Sequence, residues 1–211
     1  MGEVFFTIMP DKIKIGIIGG GRAAYIKAKA IIKNKGEVTI LSTEFCEEIL
    51  HLGKNGAKLI KGKYYKEFII DKHIIIIAVP PKEGTMIKKH CQEQCKLFIY
   101  CPEYKEGNIV FPAQGNTDST IFALRTKGAN PSLAKMLKGK VATTLKEYDE
   151  FIEFLQPIRE RAKSLGKNKD EILEFLSTED YKFMWKKGFG TIILNMFYSE
   201  EVVKILVSKK F

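Results

Sequence analysis

The chain lacks any apolar run long enough to cross a membrane. No stretch of its 211 residues reaches the ~18 consecutive apolar residues that a spanning helix requires. The first residues, MGEVFFTIMPDK, also lack the basic start, the long apolar core and the cleavage site of a signal peptide. We therefore expect a cytoplasmic protein without a membrane partner.

Metal-binding motifs are also scarce. The four cysteines are Cys46, Cys91, Cys95 and Cys101, and no pair has the CxxC spacing of a zinc knuckle. His90 lies beside Cys91, and Cys91 and Cys95 would share one face of a helix, so a metal site is an alternative. No second pair of ligands follows, however, and we predict no metal. Disulfides are not expected in a reducing compartment.

Positive charge is what the sequence has in excess. Its 35 lysines and arginines outnumber 25 acidic residues, giving a formal net charge of +10. Such a surplus favours a polyanionic partner, such as nucleic acid, an anionic membrane or a small molecule with many carboxylates or phosphates. A generally basic surface without a specific partner is the alternative. No helix-turn-helix or aromatic stacking motif is present, so we expect no nucleic-acid partner.

Short apolar runs alternate with helical patterns in the first half of the chain. The run His73-Val79, HIIIIAV, is typical of a strand buried on both faces of a parallel sheet. Strands that alternate with crossover helices predict an α/β fold with a Rossmann-type parallel sheet. The predicted strands are 14–18, 37–41, 57–60, 73–79 and 96–101, and the predicted helices are 22–35, 45–52 and 82–94.

The pattern changes in the second half. We predict two antiparallel strands, Asn108-Phe111 and Ser119-Arg125, joined through residues 112–115. Asn130 can cap a helix that starts at Pro131 and runs to about Leu137. From Thr144 the chain is predicted to be helical. The predicted organisation is therefore a Rossmann domain at 1–112, a small mixed α/β segment at 113–143 and a helical C-terminal domain at 144–211.

A glycine cluster follows the first predicted strand. The residues Gly19-Ala24, GGGRAA, fit the dinucleotide fingerprint G-x-G-x-x-A at a strand-to-helix turn. In this motif Gly19 permits the tight turn, Gly21 lets the backbone approach a pyrophosphate, and Ala24 allows close packing of the helix on the strand. We therefore predict a dinucleotide-binding loop; a glycine-rich turn kept only for packing is the alternative.

The end of the second strand bears on the choice of cofactor. Rossmann proteins that bind NAD commonly carry an acidic residue there, which bonds the ribose hydroxyls. This chain has Ser42 and Thr43, followed by Glu44, and no arginine that could bind a 2′-phosphate. The sequence therefore predicts NAD rather than NADP.

Four segments follow the pattern of one family in order along the chain. Phe5-Met9 reads FFTIM, and Ile15-Lys27 reads IGIIGGGRAAYIK, in which a triple glycine followed by Lys27 is more specific than a general Rossmann fingerprint. Phe111-Ala113 reads FPA, and Gly128-Ala134 reads GANPSLA. The sequence resembles the precorrin-2 dehydrogenase/sirohydrochlorin ferrochelatase family, which includes the N-terminal module of siroheme synthases, over nearly its whole length.

The resemblance implies NAD-dependent oxidation of precorrin-2 to sirohydrochlorin in siroheme biosynthesis and, in some members, a ferrochelatase (lyase) activity. It implies a homodimer, with 113–143 as the dimerisation segment; an apolar strand outside the main sheet also needs a partner for its edge. The substrate is a polycarboxylate tetrapyrrole, which a chain of charge +10 would attract. By resemblance the cofactor-binding residues are Gly19, Gly20, Gly21, Arg22, Ala23, Ser42, Thr43, Val79 and Pro80, and the substrate-binding residues are Lys27 and Asn130.

The chain departs from the family at three polar positions. The family's N-x-V-D after the fifth strand is Tyr100-Glu103, YCPE, so Glu103 is predicted as the catalytic carboxylate, with a solvated loop carboxylate as the alternative. The family's A-A-T-[DN] is Ala78-Pro81, AVPP, and Asn130 replaces the serine of G-x-S-P. Cys101 could be a soft metal ligand or a buried thiol. An alternative function is therefore a non-catalytic NAD- or tetrapyrrole-binding partner of a neighbouring biosynthetic enzyme.

Overall fold

The computed structural model describes residues 2–128 and 130–208. Ala129 of the GANPSLA segment, Met1 of the predicted first domain and residues 209–211 of the predicted last one lie outside the described residues. Contacts divide the chain into two compact units whose boundary lies between Phe111 and Pro112. Strands of the first unit are β1 (Lys14–Ile18), β2 (Glu37–Ser42), β3 (Lys58–Lys61), β4 (Ile74–Ile77) and β5 (Leu97–Tyr100), and its α-helices are α1 (Arg22–Lys33), α2 (Glu47–Lys54) and α3 (Pro81–Glu93).

The first unit is built on a parallel sheet with the strand order β3-β2-β1-β4-β5. Ile15 of the central strand lies opposite Val38 on one side and Ile74 on the other. The chain leaves β1 towards one edge and returns beside it as β4, so the direction of winding reverses between these two strands. This Rossmann arrangement confirms the predicted fold class. Such sheets bind ligands beyond the carboxyl ends of the strands, at the place where the direction of winding reverses, which here lies between β1 and β4.

Each face of this sheet carries its own apolar cluster. On one face, the fully buried Ala24 and Ala28 of α1 belong to the same cluster as Ile17. On the other face, Ile87 of α3 packs in a cluster with Ile75. All four residues of β4 are buried, as expected for a strand covered on both faces. The two alanines let α1 approach the sheet closely, which fixes the loop that precedes this helix.

The second unit consists of a β-hairpin and helices. Phe151, Tyr181 and Leu194 belong to the apolar cluster that the helices form. No helix within residues 2–128 and 130–208 is both long and apolar enough to cross a membrane. The elements of this unit are β6 (Ala113–Asn116), β7 (Ile121–Leu124), α4 (Pro131–Lys146), α5 (Asp149–Ala162), α6 (Lys169–Leu176), α7 (Glu179–Lys186), α8 (Gly190–Phe197) and α9 (Glu200–Val207).

The predicted strand at Asn108-Phe111 is wrong. The side chain of Asn108 instead bonds the backbone around β5: Phe98 N donates to its Oδ1 at 2.6 Å, and its Nδ2 donates to Lys96 O at 2.8 Å. The first strand of the hairpin is β6, in the residues predicted as the connection. Gly115 of β6 pairs with Phe122 of β7, whose ring fills the space that a side chain at Gly115 would need.

Helix α4 begins as predicted and ends later than predicted. Asn130 caps it, because Asn130 Oδ1 accepts a hydrogen bond from Leu133 N at 3.0 Å. The helix runs to Lys146 rather than to Leu137 and continues through Gly139. A glycine inside an exposed helix costs about 1 kcal/mol but does not end it. Helix α4 therefore runs through residue 143, where the sequence places the boundary between the second and third parts of the chain. That division stays a prediction.

Candidate cofactor and substrate site

The first glycine of the cluster lies where the ends of three strands meet. Gly19 has φ +119°, a conformation that side-chain-bearing residues rarely adopt. A Cβ at this position would lie 2.3 Å from Ala78 O, just beyond β4, and Gly19 N donates to Leu41 O of β2 at 2.9 Å. Gly19 therefore turns the chain sharply at the carboxyl end of β1, with no room for a side chain.

The loop that follows β2 fills the space beside the second glycine. A Cβ on Gly20 would lie 1.8 Å from Glu44 O and 2.8 Å from the hydroxyl oxygen of Ser42. Cys46 N donates to Gly20 O at 2.9 Å and ties the start of α2 to the glycine loop. Gly20 is thus required by packing within the protein, while its contact with Ser42 brings the predicted ribose-binding segment beside the loop.

The third glycine differs from the first two because its side-chain position is open. Apart from its two chain neighbours, no atom of the described residues lies within 4 Å of a Cβ built on Gly21, and no described side chain caps α1, whose N-cap residue it is. Tyr25 N is bonded to Gly21 O, whereas Arg22 and Ala23 of the first turn are exposed. An open space at the N-terminus of a twelve-residue helix fits a pyrophosphate, which accepts hydrogen bonds from the first helical N–H groups.

The residues that follow β4 lie beside the glycine loop. Val79 Cγ1 lies 3.3 Å from the position of a Cβ on Gly19, and Pro80 is the N-cap of α3. The structure therefore brings the glycine loop together with Ser42 and Val79. Thr43 and Pro80 are exposed next to these residues. Their roles as cofactor-binding residues stay predictions.

A lysine of α1 reaches the carboxyl end of β5. Burial raises the pKa of the Cys101 thiol, and the nearby positive charge of Lys27 opposes this rise. Cys101 N donates to Ile77 O at 2.9 Å, so the backbone of Cys101 continues the pairing of β5 with β4. The family resemblance implies that Lys27 binds the substrate, but no local pattern indicates that it lies near Cys101, because the two residues are far apart along the chain.

The described side chains around His90 and Cys91 do not form a metal-binding arrangement. Burial raises the pKa of the fully buried Cys91 thiol to about 12, whereas Cys95 is exposed. His90 Nδ1 lies 3.1 Å from the Tyr64 hydroxyl, with which it shares a hydrogen bond. In the described part of the chain, no group of three or more His, Cys, Asp and Glu residues could hold a metal ion.

Comparison with known proteins agrees with this geometry. A family model described as "Putative NAD(P)-binding" matches residues 6–113, which include the whole parallel sheet and the glycine loop. A Methanocaldococcus jannaschii protein named "Putative precorrin-2 dehydrogenase" is 32% identical over 168 residues, covering 74% of this chain and 80% of its own. The chain belongs to the precorrin-2 dehydrogenase family. The resemblance inferred from the triple glycine and the later segments is thereby confirmed.

Other members of the precorrin-2 dehydrogenase family match in the same way. The precorrin-2 dehydrogenase of Priestia megaterium is 24% identical over 177 residues, covering 82% of this chain and 87% of its own. The siroheme synthase of Ruthia magnifica is 22% identical over 191 residues, but the match covers only 38% of that longer protein. The solved structure of SirC, a precorrin-2 dehydrogenase, superposes with a TM-score of 0.71 at 20% identity over 92% of this chain and all of that one, and so shares its fold.

The positions at which this chain departs from the family pattern have local roles in the structure. Glu103 lies in the exposed loop after β5, and its Oε1 accepts a hydrogen bond from Lys105 N at 3.3 Å. Asn130 lies in the second unit, where it caps α4. Serine and asparagine are both good N-cap residues, so the replacement of serine preserves the start of this helix. The catalytic role of Glu103 and the substrate-binding role of Asn130 stay predictions.

Proposed function

We propose that the protein catalyses the NAD⁺-dependent dehydrogenation of precorrin-2 to sirohydrochlorin in siroheme biosynthesis. The observation that carries the proposal is the open space at Gly21. At the other two glycines of the loop, protein atoms occupy the space that a side chain would need. Membership of the precorrin-2 dehydrogenase family supports the choice of substrate. The net charge of +10 suits a substrate fringed with carboxylates.

The residues present fit the cofactor. The first N–H groups of α1 would hold the pyrophosphate, and Ser42 and Thr43 at the end of β2 would contact the ribose. Bound NAD⁺ would supply the hydride acceptor for the oxidation. No arginine follows β2 that could bind a 2′-phosphate, which supports NAD over NADP.

The oxidation removes a hydride and a proton from the macrocycle, so a base is also required. Glu103 is our candidate, because it is exposed and lies three residues beyond Tyr100, the last residue of β5. This carboxylate accepts a hydrogen bond from Lys105 N and would have to leave that bond to act as a base. Ferrochelatase activity, homodimer formation and a cytoplasmic location stay predictions.

The decisive measurement is turnover. Purified protein with NAD⁺ and enzymatically prepared precorrin-2 should yield NADH, seen by its absorbance, together with the spectrum of sirohydrochlorin. A Glu103→Gln variant should bind NAD⁺ normally and turn over at least about 100-fold more slowly, as expected on loss of a general base. NADH formation no faster than in a protein-free control would contradict the proposal.

The carboxylate of Glu103 already accepts a hydrogen bond from Lys105 N, and this favours one other candidate function. In that function the chain is a non-catalytic binding partner of a neighbouring enzyme. In that case calorimetry should detect tight binding of NAD⁺ or of the tetrapyrrole although no NADH forms. Robust turnover by the wild-type chain would exclude this function.

A further inference from the structure

A short turn carries Glu103 beyond the end of β5. The 3₁₀ turn Tyr104–Glu106 follows Glu103 directly, and Glu106 N donates to Glu103 O at 3.0 Å. We call residues 103–106 the Glu103 turn. A Cβ on Gly107, the next residue, would lie 3.0 Å from Phe98 O, so the chain leaves the turn in close contact with the backbone of β5. The sheet therefore holds the end of the Glu103 turn.

A lysine of α3 also bonds the Glu103 turn. Lys88 Nζ donates to Glu106 Oε2 at 2.5 Å, which makes a charge-assisted hydrogen bond between a helix and the last residue of the turn. The Lys88 side chain is only 21% exposed, whereas that of Glu106 is 47% exposed. The less mobile member of the pair is thus expected to be the lysine, because it is the more buried one.

The packing of α3 on β5 places Lys88. Gly84 lies one helical turn before Lys88, and a Cβ on it would lie 2.7 Å from Tyr100 Cε2, so the Tyr100 ring packs against the backbone of α3. Glycine is unfavourable inside a helix, and this close contact is a reason for it here. Lys88 Nζ lies 5.5 Å from the centre of the same ring, within the range of a cation–π interaction. Lys88 therefore contacts both the last residue of β5 and the turn that follows it.

We propose that Lys88 is a positioning residue, whose ion pair with Glu106 holds the Glu103 turn, and with it the Glu103 carboxylate, in place beyond the carboxyl end of β5. The inference rests on the proposed function for the role of Glu103 as a base, and Lys88 acts through Glu103. A partly exposed ion pair contributes little to stability. A misplacement of a reacting group by about 1 Å, in contrast, can slow a reaction about 100-fold. Lys88 is accordingly required for the chemical step and not for the fold.

Substitution at Lys88 should lower kcat without raising KM. Lys88→Met removes the ammonium and keeps an apolar stem over the Tyr100 ring. We expect kcat to fall about tenfold, with the KM for precorrin-2 and the dissociation constant of NAD⁺ changed by less than about twofold. Glu106→Gln should act in the same way, and it decides the question if the lysine variant does not fold. Lys89→Met is the matched control, because Lys89 is exposed on the same helix and its loss changes the net charge equally. A rise in KM with kcat unchanged would overturn the inference, since Lys88 would then bind the substrate itself.

Two double variants test the route by which Lys88 acts. Lys88→Glu combined with Glu106→Lys restores an ion pair of opposite direction and should bring kcat back to within about threefold of the wild type. Lys88→Met added to Glu103→Gln should lower kcat no further, because the group that Lys88 positions is already gone. An equal effect of Lys88→Met in both backgrounds would overturn the inference, as would a charge-swapped variant no more active than the single variants.

Limited cleavage by trypsin tests the turn without turnover. Lys105 is exposed within the Glu103 turn, and cleavage of the bond that follows it requires the turn to open locally. Lys88→Met should speed cleavage at Lys105 at least about fivefold, measured by mass spectrometry of the fragments. Lys89→Met should cleave there at the wild-type rate. The midpoint of urea unfolding should be the same for both variants, which distinguishes local opening from loss of the fold.

Failure of the inference can be distinguished from failure of the proposed function. If the wild-type chain forms no NADH but Lys88→Met speeds cleavage at Lys105, the proposed function fails and Lys88 still holds the Glu103 turn. If the wild-type chain turns over and Lys88→Met changes neither kcat nor cleavage, the proposed function stands and the inference is overturned. A lower kcat without faster cleavage would also overturn it, because Lys88 would then act by some route other than the turn.

Discussion

At the scale of single residues, the three adjacent glycines have different tasks. Gly20 has no room for a side chain, because a Cβ would overlap the Glu44 carbonyl, whereas Gly21 faces open space. Gly19 combines a positive φ with contact to Ala78 O. A fingerprint therefore contains positions required by the fold and positions required by the ligand, and the two can be distinguished by substitution.

We predict opposite effects for alanine at Gly20 and Gly21. Gly20→Ala should lower the free energy of unfolding by about 2 kcal/mol or more, because a neighbouring backbone must shift to relieve the overlap. Gly21→Ala should cost less than about 1 kcal/mol, as for a change at an N-cap, yet raise the dissociation constant of NAD⁺ at least about tenfold. Urea denaturation and calorimetry with NAD⁺ measure the two quantities. A Gly21→Ala variant that binds NAD⁺ like the wild type would show that the cofactor does not use this space.

Lys27 and Cys101 show what residue patterns leave out. The triple glycine was recognisable in the sequence because its spacing is local and its backbone requirements are strict. The nearness of the Lys27 charge to Cys101 was not, because the two residues belong to separate elements far apart along the chain.

At the scale of secondary-structure elements, the first unit was more predictable than the hairpin. The strands β1, β2, β4 and β5 lie in mainly apolar runs that are followed within a few residues by glycine, proline or polar residues, so their pattern and their approximate limits are local signals. Strand β6, AQGN, has none of the β-branched or aromatic residues that strands favour. It is a strand because it pairs with β7 and because Gly115 accommodates the ring of Phe122, and both causes lie outside its own sequence.

A buried carboxylate links the hairpin to a helix in the second unit. Asp149, the first residue of α5, is 6% exposed and accepts hydrogen bonds from the Thr117 hydroxyl at 2.6 Å and from Ser119 N at 3.1 Å. The Thr117 bond is the largest cause of its lowered pKa, and the Ser119 and Asp118 N–H groups add to the effect. The sequence gives no sign of this arrangement, because the turn and the helix that it joins are separate elements.

We predict that Asp149→Asn lowers Tm by about 5 °C at neutral pH, because an amide cannot accept from all of these donors. The pKa of Asp149 is lower in the folded chain than its unfolded value of about 3.9. Its contribution to stability is therefore fully present above that value and is lost as the pH falls below about 4. The difference in Tm between wild type and variant should be constant from about pH 5 to pH 7 and shrink below about pH 4, as measured by circular dichroism.

The neighbouring Asp118 provides a control for this prediction. Its side chain is exposed in the same turn and accepts no hydrogen bond from the described residues, so Asp118→Asn should leave Tm unchanged at every pH. A pH-independent difference for Asp149→Asn would mean that the carboxylate contributes by its shape rather than by its charge.

At the scale of the whole molecule, the excess of positive charge has two consequences. Lys58 and Lys61 lie at the ends of β3, the edge strand of the sheet, where lysines discourage pairing with the edge of another sheet. The net charge of +10 also creates a long-range attraction for any polyanion that approaches the chain. The first consequence is local and would persist at high salt, whereas the second depends on screening.

We predict that kcat/KM for precorrin-2 falls about tenfold or more between about 0.01 M and about 1 M salt. Over this range the screening length shrinks from about 30 Å to about 3 Å, so attraction between the net charge and the carboxylates of the substrate is lost before encounter. The kcat at saturating substrate should change much less, because the bound complex no longer depends on steering. Initial rates of NADH formation across the salt series measure both constants. If kcat/KM is independent of salt, the surplus of lysines does not serve substrate capture.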